Sequence, residues 1–230
     1  ARRPFPKAWE PLVEKHLSAW YTPLSEEEKS RVREHLKVFA WEKYFIGAGG
    51  LEVTDEMRVV VAGQAARLSR NLGLDAYDRL TEVILYPSHY RHPGKDHMVV
   101  YGEAHYWGTM VLSWDAVKKG LRNPRDGRDT TLHEFAHVLD VADGVFDGTP
   151  RLHKPRHYRR WATVFSHHYE RLLEAPDDGV VRAYGAQNAA EFFAVATEAY
   201  FEQPQRLRRE ARHLYEELHR FYSGEKVTRT

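Results

Sequence analysis

A chain of 230 residues with 42% hydrophobic and 13% aromatic residues can bury a complete core, which excludes disorder over most of its length. Its 34 basic and 33 acidic residues leave a formal net charge of +1, so no overall field favours nucleic acid or an anionic membrane surface. The absence of cysteine excludes disulfides, thiol nucleophiles and cysteine-bound metals, and leaves histidine and carboxylate side chains as metal ligands.

The N-terminal segment, Ala-Arg-Arg-Pro-Phe-Pro, lacks the apolar stretch of a signal peptide. No later apolar run approaches the roughly 20 residues that are needed to cross a bilayer. These two observations predict a soluble protein of the cytoplasm that does not associate with membranes.

Helix start signals dominate the N-terminal part of the chain. Ser25 and the three glutamates after it form a capping box, which predicts a helix that runs to Phe45. Thr54 precedes two acidic residues and begins a second predicted helix. The segment 46–50 between them is predicted to be a flexible turn, and no Lys-Ser/Thr follows it as a phosphate loop would require. Residues 1–80 are therefore predicted to form a helical region that packs on the rest of the chain.

Short β-type runs follow at Val83–Tyr86, Met98–Tyr101 and Tyr106–Trp114, separated by turns rich in Pro, Gly and His. They predict a small sheet. The basic segment Lys118–Arg128 is expected to be a solvated loop, with contact to a substrate or partner as the alternative. The predicted fold class is α+β and mainly helical, with the sheet preceding the candidate active-site helix, and residues 81–230 are predicted to be the catalytic region of one compact domain.

The pentapeptide His133–His137 reads His-Glu-Phe-Ala-His and lies in a predicted amphipathic helix, capped by Asp126 or Asp129 and ended by Gly144. Positions i and i+4 of a helix lie on the same face, so the two histidines can bind one zinc ion, and the glutamate between them can act as a base. Because the chain has 14 histidines, roughly one such chain in ten would contain this pattern by composition alone. A helix with solvated histidines is therefore the alternative.

The C-terminal part is predicted to be helical. One helix begins at Pro155, and the turn Pro176–Gly179 follows it. A second helix is predicted from Asn188 to Phe201. The last runs from Pro204 to Tyr222 and carries one apolar stripe, formed by Leu207, Ala211, Leu214, Leu218 and Phe221.

Catalytic zinc usually has three protein ligands and keeps a fourth position for water, so the two histidines need a further partner. Asp140 is near in sequence, but it lies seven residues beyond His133, about 10 Å along an uninterrupted helix. A metal ion shared by His133 and His137 would lie level with the turn between them. We therefore expect Asp140 to support a ligand or to form an ion pair.

The helix from Asn188 to Phe201 offers a better ligand. Glu191 and Glu198 are its only charged residues and share one face of an otherwise apolar segment. A buried carboxylate needs a cation or strong hydrogen-bond donors. We predict that Glu191 binds the metal and that Glu198 supports the site, although the spacing also allows the converse. Ion pairs with Arg or Lys from a neighbouring helix are the alternative.

Tyr184 lies on the segment just before this helix. Its hydroxyl can donate a hydrogen bond to the oxyanion of a tetrahedral intermediate. Because the chain contains 13 tyrosines, a packing role is the alternative interpretation of this residue.

Two segments together, His133–Asp140 and Ala183–Phe201, resemble the Mlc titration factor A (MtfA) family of zinc metallopeptidases. The likeness extends to Gly102–Trp114 and Val53–Arg58, and so covers most of the chain from the second predicted helix onward. The four residues before Glu191, Gln-Asn-Ala-Ala, lack a proline that is common in the family, and this departure leaves the ligand intact.

The resemblance implies a zincin-like, gluzincin-type site and a helical fold similar to the catalytic domain of anthrax lethal factor. It implies one zinc ion per chain, bound by His133, His137 and Glu191, with Glu134 as general base and Tyr184 as active-site tyrosine. It also implies aminopeptidase-like hydrolysis of a peptide or protein substrate and, as in enterobacteria, binding of the glucose-related transcriptional repressor Mlc.

Two functions are therefore predicted. The first is zinc-dependent peptide hydrolysis, in which the strand Tyr106–Trp114 can present an edge to an extended peptide. The second is a regulatory zinc protein that sequesters a transcriptional repressor and has weak or vestigial activity. Glu134 favours catalysis, because structural zinc does not require it. A third interpretation, a helical domain that binds no metal, requires that Glu191 lie far from His133 in the folded chain.

Overall fold

The computed structural model describes residues 4–91, 99–100, 102–105, 108–176 and 179–224. Contacts within the backbone separate the chain into two compact units, Ala1–Arg122 and Asn123–Thr230. The predicted boundary after residue 80 stays a prediction. Among the described residues, no helix combines the length and the apolar character that a membrane span requires.

The first unit begins with three helices, which are α1 (Glu10–Tyr21), α2 (Glu26–Glu42) and α3 (Asp55–Ser69). Ser25 and Glu28 form the predicted capping box of α2, and Thr54 caps α3 as predicted. Helix α1 packs closely on α3 because Gly63 has no side chain. A Cβ atom there would lie 2.2 Å from Cδ1 of Leu17. The capping signals of the sequence thus locate the starts of α2 and α3 correctly.

The strands of this unit are β1 (Tyr44–Gly47), β2 (Glu82–Tyr86), β3 (Tyr90–Arg91), β4 (Val99–Val100), β5 (Gly102–His105) and β6 (Thr109–Ser113). Four of them form a sheet in the order β1-β2-β6-β5, in which only β5 runs antiparallel to its neighbour. Strands β3 and β4 form a separate antiparallel pair. Helix α4 (Trp114–Arg122) follows β6 directly. The predicted fold class, α+β and mainly helical with a small sheet, is confirmed.

Two local predictions in this unit are wrong. The segment at Tyr44–Gly47 is a strand rather than a helix end and a turn, because Phe45 pairs with Val83 of the distant strand β2. The predicted basic loop at Lys118–Arg128 is helical up to Arg122, where α4 ends. Parts of the predicted strands, at positions 98, 101, 106 and 107, lie outside the described residues.

The second unit is built from helices α5 (Thr130–Asp140), α6 (Pro155–Glu174), α7 (Ala189–Glu202), α8 (Pro204–Glu210) and α9 (Arg212–Tyr222). Aromatic side chains from α6, α7 and α9 form its core. The rings of Trp161 and Phe165 stack with their centroids 3.8 Å apart, and Phe193 and Phe221 pack edge-on against Trp161. Large buried rings of this kind dominate the apolar area that a core removes from water. They hold α7, which carries the candidate ligand Glu191, against its neighbours.

The prediction of one helix from Pro204 to Tyr222 is wrong. The chain leaves the helical conformation at Ala211, where φ is −140° and ψ is 59°. The predicted apolar stripe is nevertheless buried throughout. Apolar residues at this spacing fit one long helix or two short helices that share a buried joint, and no Gly or Pro marks the break. Positions 177 and 178 of the predicted turn before α7 lie outside the described residues.

Candidate metal centre

Helix α5 carries the two histidines of the pentapeptide and is buried almost completely. Asp129 caps it, since its carboxylate accepts hydrogen bonds from the N–H groups of Thr131 and Leu132 at 2.8 and 3.1 Å. Of the two predicted caps, Asp129 is therefore the correct one. The exposed fractions of His133 and His137 are only 8% and 5%. The alternative of a helix with solvated histidines is thus wrong.

The structure brings Glu191 to the two histidines, although it lies on another helix. The Nε2 atoms of His133 and His137 are 3.1 Å apart. The carboxylate of Glu191 lies 3.0 Å from Nε2 of His133 and 3.5 Å from Nε2 of His137. Ligands about 2.1 Å from a tetrahedral zinc ion would be separated by about 3.4 Å. The three side chains therefore have the spacing that one small metal ion requires.

Within the described part of the chain, His133, His137 and Glu191 are the one group of three ligand side chains whose donor atoms converge, all within 4.8 Å of one another. Asp140 and Glu198 do not belong to this group. Both ring nitrogens that face Glu191 are the Nε2 atoms, which is a common ligand atom for zinc. The donor set, two imidazoles and one carboxylate, fits a divalent metal ion.

The electrostatics of this group favour positive charge. Burial disfavours a charged His133, but hydrogen bonds with Glu191 and Glu198 outweigh burial and raise the pKa of this imidazole to about 10. Burial alone would raise the pKa of the Glu191 carboxyl. Its hydrogen bonds with the two histidines outweigh burial and lower this pKa to about 2. Burial lowers the pKa of His137. The carboxylates thus attract a cation to the Nε2 atoms.

Glu198 holds His133 from the side opposite to Glu191. Its Oε1 atom accepts a hydrogen bond from Nδ1 of His133 at 2.9 Å and one from Nη2 of Arg182 at 2.6 Å. Its Oε2 atom accepts from the backbone N–H of Asp129 at 2.7 Å. A proton held on Nδ1 leaves the lone pair of Nε2 directed at the metal position. Glu198 therefore supports His133, and its arginine partner comes from the segment before α7 rather than from a neighbouring helix as the alternative had it.

Arg182 has no counterpart among the predicted site residues. Its Nε atom donates a hydrogen bond to the carbonyl of Gly127 at 3.0 Å, while its Nη2 atom binds Glu198. Glu202, one turn beyond Glu198 on α7, accepts hydrogen bonds from the backbone N–H groups of Gly127 and Arg128 at 2.8 and 2.9 Å. The segment before α5 is thus fixed to α7 by charged groups. The only signal for Arg182 in the sequence is its position two residues before Tyr184.

Glu134 and Tyr184 lie at the same centre. Glu134 is buried, and its charge contributes to the raised pKa of both His133 and Tyr184. Tyr184 is half exposed, and its ring centroid lies 5.7 Å from that of His133. Burial, reinforced by the charge of Glu191, raises the pKa of the Tyr184 hydroxyl, which therefore keeps its proton and remains a donor.

Asp140 makes a contact that the sequence does not predict, while its predicted role of supporting a ligand or forming an ion pair stays a prediction. It is fully buried, and its Oδ2 atom accepts a hydrogen bond from the backbone N–H of Gly148 at 2.9 Å. The carbonyl of Gly148 in turn accepts a hydrogen bond from Nε1 of Trp161 at 3.2 Å. A Cβ atom at Gly148, where φ is +79°, would lie 2.3 Å from the carbonyl oxygen of Ala189. Asp140 therefore ties the loop after α5 to the core.

Burial raises the pKa of the Asp140 carboxyl from 3.8 to about 6. The folded protein then binds this proton more tightly than the unfolded chain, so the contribution of Asp140 to stability is fully present below about pH 4 and is lost as the pH rises through about 6. A shift of about 2 pKa units corresponds to about 3 kcal/mol. Asp140→Asn, which is neutral at every pH, is expected to lack this loss. Urea unfolding of metal-free protein at pH 4 and at pH 7 measures it.

Asp143→Asn is the matched control, because Asp143 is an exposed residue of the segment that follows α5 and its charge is not among the causes of the raised Asp140 pKa. It is expected to keep the pH dependence of the unmodified chain. An equal loss of stability between pH 4 and pH 7 in Asp140→Asn would contradict a buried, protonated Asp140.

Comparison with known proteins agrees with this geometry. Residues 1–223 match the family model of the glucose-regulated metallo-peptidase M90. The chain is 34% identical to an uncharacterized protein of Synechocystis sp., over 96% of this chain and 85% of the relative. It is 28% identical to the Mlc titration factor A proteins of Yersinia pestis and Yersinia pseudotuberculosis, over 90% of this chain and 82% of each relative. The resemblance predicted from the motifs is thereby confirmed.

Proposed function

We propose that this chain, which belongs to the glucose-regulated metallo-peptidase M90 family, is a zinc-dependent peptidase that hydrolyses peptide bonds in an aminopeptidase-like reaction. One observation carries the proposal. The donor atoms of His133, His137 and Glu191 converge within 4.8 Å, and Glu134 lies in the same buried helix turn as the two histidines. The family establishes a metallopeptidase-type protein, and the choice of zinc and of an aminopeptidase reaction extends that result.

The donor set supports zinc as the metal. Two imidazoles and one carboxylate are a ligand set of catalytic zinc sites, in which a fourth position stays open for water. A zinc ion bound here would act as a Lewis acid on the scissile carbonyl and lower the pKa of the attacking water to about 7. His133, His137 and Glu191 would hold it, and Glu198 and Arg182 would keep His133 in the orientation that binding requires.

Glu134 is the proposed general base. Its carboxylate accepts the proton of the attacking water and then donates it to the departing amine, so that it is ionised again when the products leave. The position of Glu134 supports this role, because this residue is 5% exposed and belongs to the buried helix turn that carries both histidines. Tyr184, which keeps its hydroxyl proton, would donate a hydrogen bond to the oxyanion as it forms.

Removal of the metal tests the proposal as a whole. Dialysis against a chelator is expected to abolish hydrolysis of amino-acid 4-nitroanilides, and about one equivalent of zinc per chain is expected to restore it. The N-acetylated forms of the same substrates are expected to resist cleavage, since an aminopeptidase requires a free α-amine. Hydrolysis that persists after complete metal removal would refute the zinc mechanism, and cleavage of both forms at equal rates would refute the aminopeptidase assignment.

A second candidate function is the capture of a transcriptional repressor in the cytoplasm. It is suggested by the name of the Yersinia relatives, Mlc titration factor A. Calorimetry with a purified repressor of the Mlc type tests it, with the unmodified chain and Glu134→Gln side by side. Equal affinity of both proteins would support a regulatory role that needs no hydrolysis, and no binding by either would exclude that role.

A further inference from the structure

Exposed apolar side chains border the candidate metal centre. Phe146 is 49% exposed, yet its ring centroid lies 5.0 Å from that of His137. Its chain neighbour Val145 is 53% exposed, and Tyr184, which is 49% exposed, contacts the ring of His133. Most of the large apolar side chains that the structure describes in the second unit are buried in its core. An exposed apolar surface that adjoins a cluster of ligand side chains is a feature of substrate sites.

The loop that carries Phe146, the Phe146 loop (Gly144–Gly148), is fixed at both ends. Gly144, with φ of +98°, ends the helical segment, and the N–H of Val145 donates to Oδ1 of Asp143 at 3.0 Å. At the other end, Gly148 is held by Asp140 and by Trp161. Hydrogen bonds thus hold both ends of the loop, an exposed one at Val145 and buried ones at Gly148, and the Phe146 ring between them lies beside His137.

The charges around the Phe146 loop limit what can bind there. Asp143 and Asp147 flank Val145 and Phe146 in the chain, and Asp147 accepts a hydrogen bond from the backbone N–H of Thr149 at 3.0 Å. Two carboxylates beside an apolar surface repel an acidic side chain, while the exposed ring gains from being covered by an apolar one. The surface thus suits a large aliphatic or aromatic side chain and disfavours an acidic one.

We propose that Phe146 forms the wall of a subsite for the substrate side chain next to the scissile bond, and that this subsite selects large apolar residues. The inference rests on the proposed peptidase function, because only a peptide held at the metal centre places a side chain beside His137. Contact with one apolar wall typically changes kcat/KM by about tenfold or more between substrates that differ in a few methylene groups.

The test compares zinc-loaded unmodified protein with Phe146→Ala and Phe146→Leu on peptides that differ only at the residues flanking the scissile bond. The unmodified protein is expected to favour Leu and Phe over Gly, and to cleave the Glu peptides least. In Phe146→Ala the ratio of kcat/KM for Leu over Gly peptides is expected to fall about tenfold, and Phe146→Leu is expected to retain most of it. Leu173→Ala, which removes an equally exposed apolar side chain from α6, is the control and is expected to keep the ratio.

Binding of leucine hydroxamate and glycine hydroxamate, measured by calorimetry on the same zinc-loaded proteins, provides a readout that needs no turnover. Tighter binding of the leucine compound, lost in Phe146→Ala at unchanged zinc content, would support the subsite even if no peptide were cleaved. In that case the proposed function fails and the subsite stands. The proposal would be overturned if Phe146→Ala kept the preference of the unmodified protein for Leu over Gly, measured as the ratio of kcat/KM for the peptides or as the ratio of affinities for the hydroxamates.

Discussion

Glu134→Gln is expected to lower kcat by about 10²- to 10⁴-fold, while the protein still binds about one zinc ion per chain. Glutamine has the shape of glutamate but cannot accept the proton of the attacking water. Glu134 is also not among the three side chains whose donor atoms converge, so its replacement leaves the ligand set intact. Elemental analysis and steady-state hydrolysis on the same preparation measure both quantities.

Glu170→Gln is a suitable control, because Glu170 is an exposed carboxylate on α6. Its kcat and zinc content are expected to equal those of the unmodified chain. Two results would count against Glu134 as the base. One is full activity in Glu134→Gln. The other is a loss of zinc from Glu134→Gln as large as that caused by removal of a ligand.

Glu191→Ala is expected to weaken zinc binding more than Glu198→Ala does. Glu191 faces the Nε2 atoms of both histidines, whereas Glu198 contacts Nδ1 of His133 and so acts on the metal through that ring. Loss of a partner that orients a ligand typically costs about 10- to 100-fold in metal affinity, and loss of the ligand itself is expected to exceed this. Competition with a chelator of known affinity, at constant pH, gives the dissociation constants.

Two observations accompany that measurement. Far-ultraviolet circular dichroism controls for folding, because Glu198→Ala also leaves Arg182 without its carboxylate partner. Glu198→Gln keeps an acceptor for Nδ1 of His133 and is expected to bind zinc more tightly than Glu198→Ala. A larger loss of affinity in Glu198→Ala than in Glu191→Ala would exchange the roles of the two glutamates.

The parts of the site that the sequence predicts are those with a local physical signature. A capping aspartate and i, i+4 spacing identify α5 and its two histidines without knowledge of the rest of the chain. Glu191 is predictable for a different reason. A buried carboxylate in an apolar helix requires a cation or hydrogen-bond donors. The packing of α7 against α5 supplies them, because it brings Glu191 to the two histidines.

The features that escape prediction depend on contacts between distant segments. Strand β1 exists because it pairs with β2, which lies more than thirty residues away. The break at Ala211 has no Gly or Pro to announce it. Arg182 binds Glu198 and Gly127 from a loop, so periodicity gives no sign of its role. Asp140 is a candidate ligand by its position in the sequence. Only the fold shows that its carboxylate accepts a hydrogen bond from the backbone N–H of Gly148.

Anomalous X-ray scattering at the zinc absorption edge, from crystals of protein purified without chelator, tests the central claim most directly. The proposed site predicts one peak per chain, at about 2.0–2.2 Å from Nε2 of His133, Nε2 of His137 and a carboxylate oxygen of Glu191. A peak elsewhere, a peak at the two histidines that Glu191 does not reach, or no peak in a protein that hydrolyses peptides would contradict it.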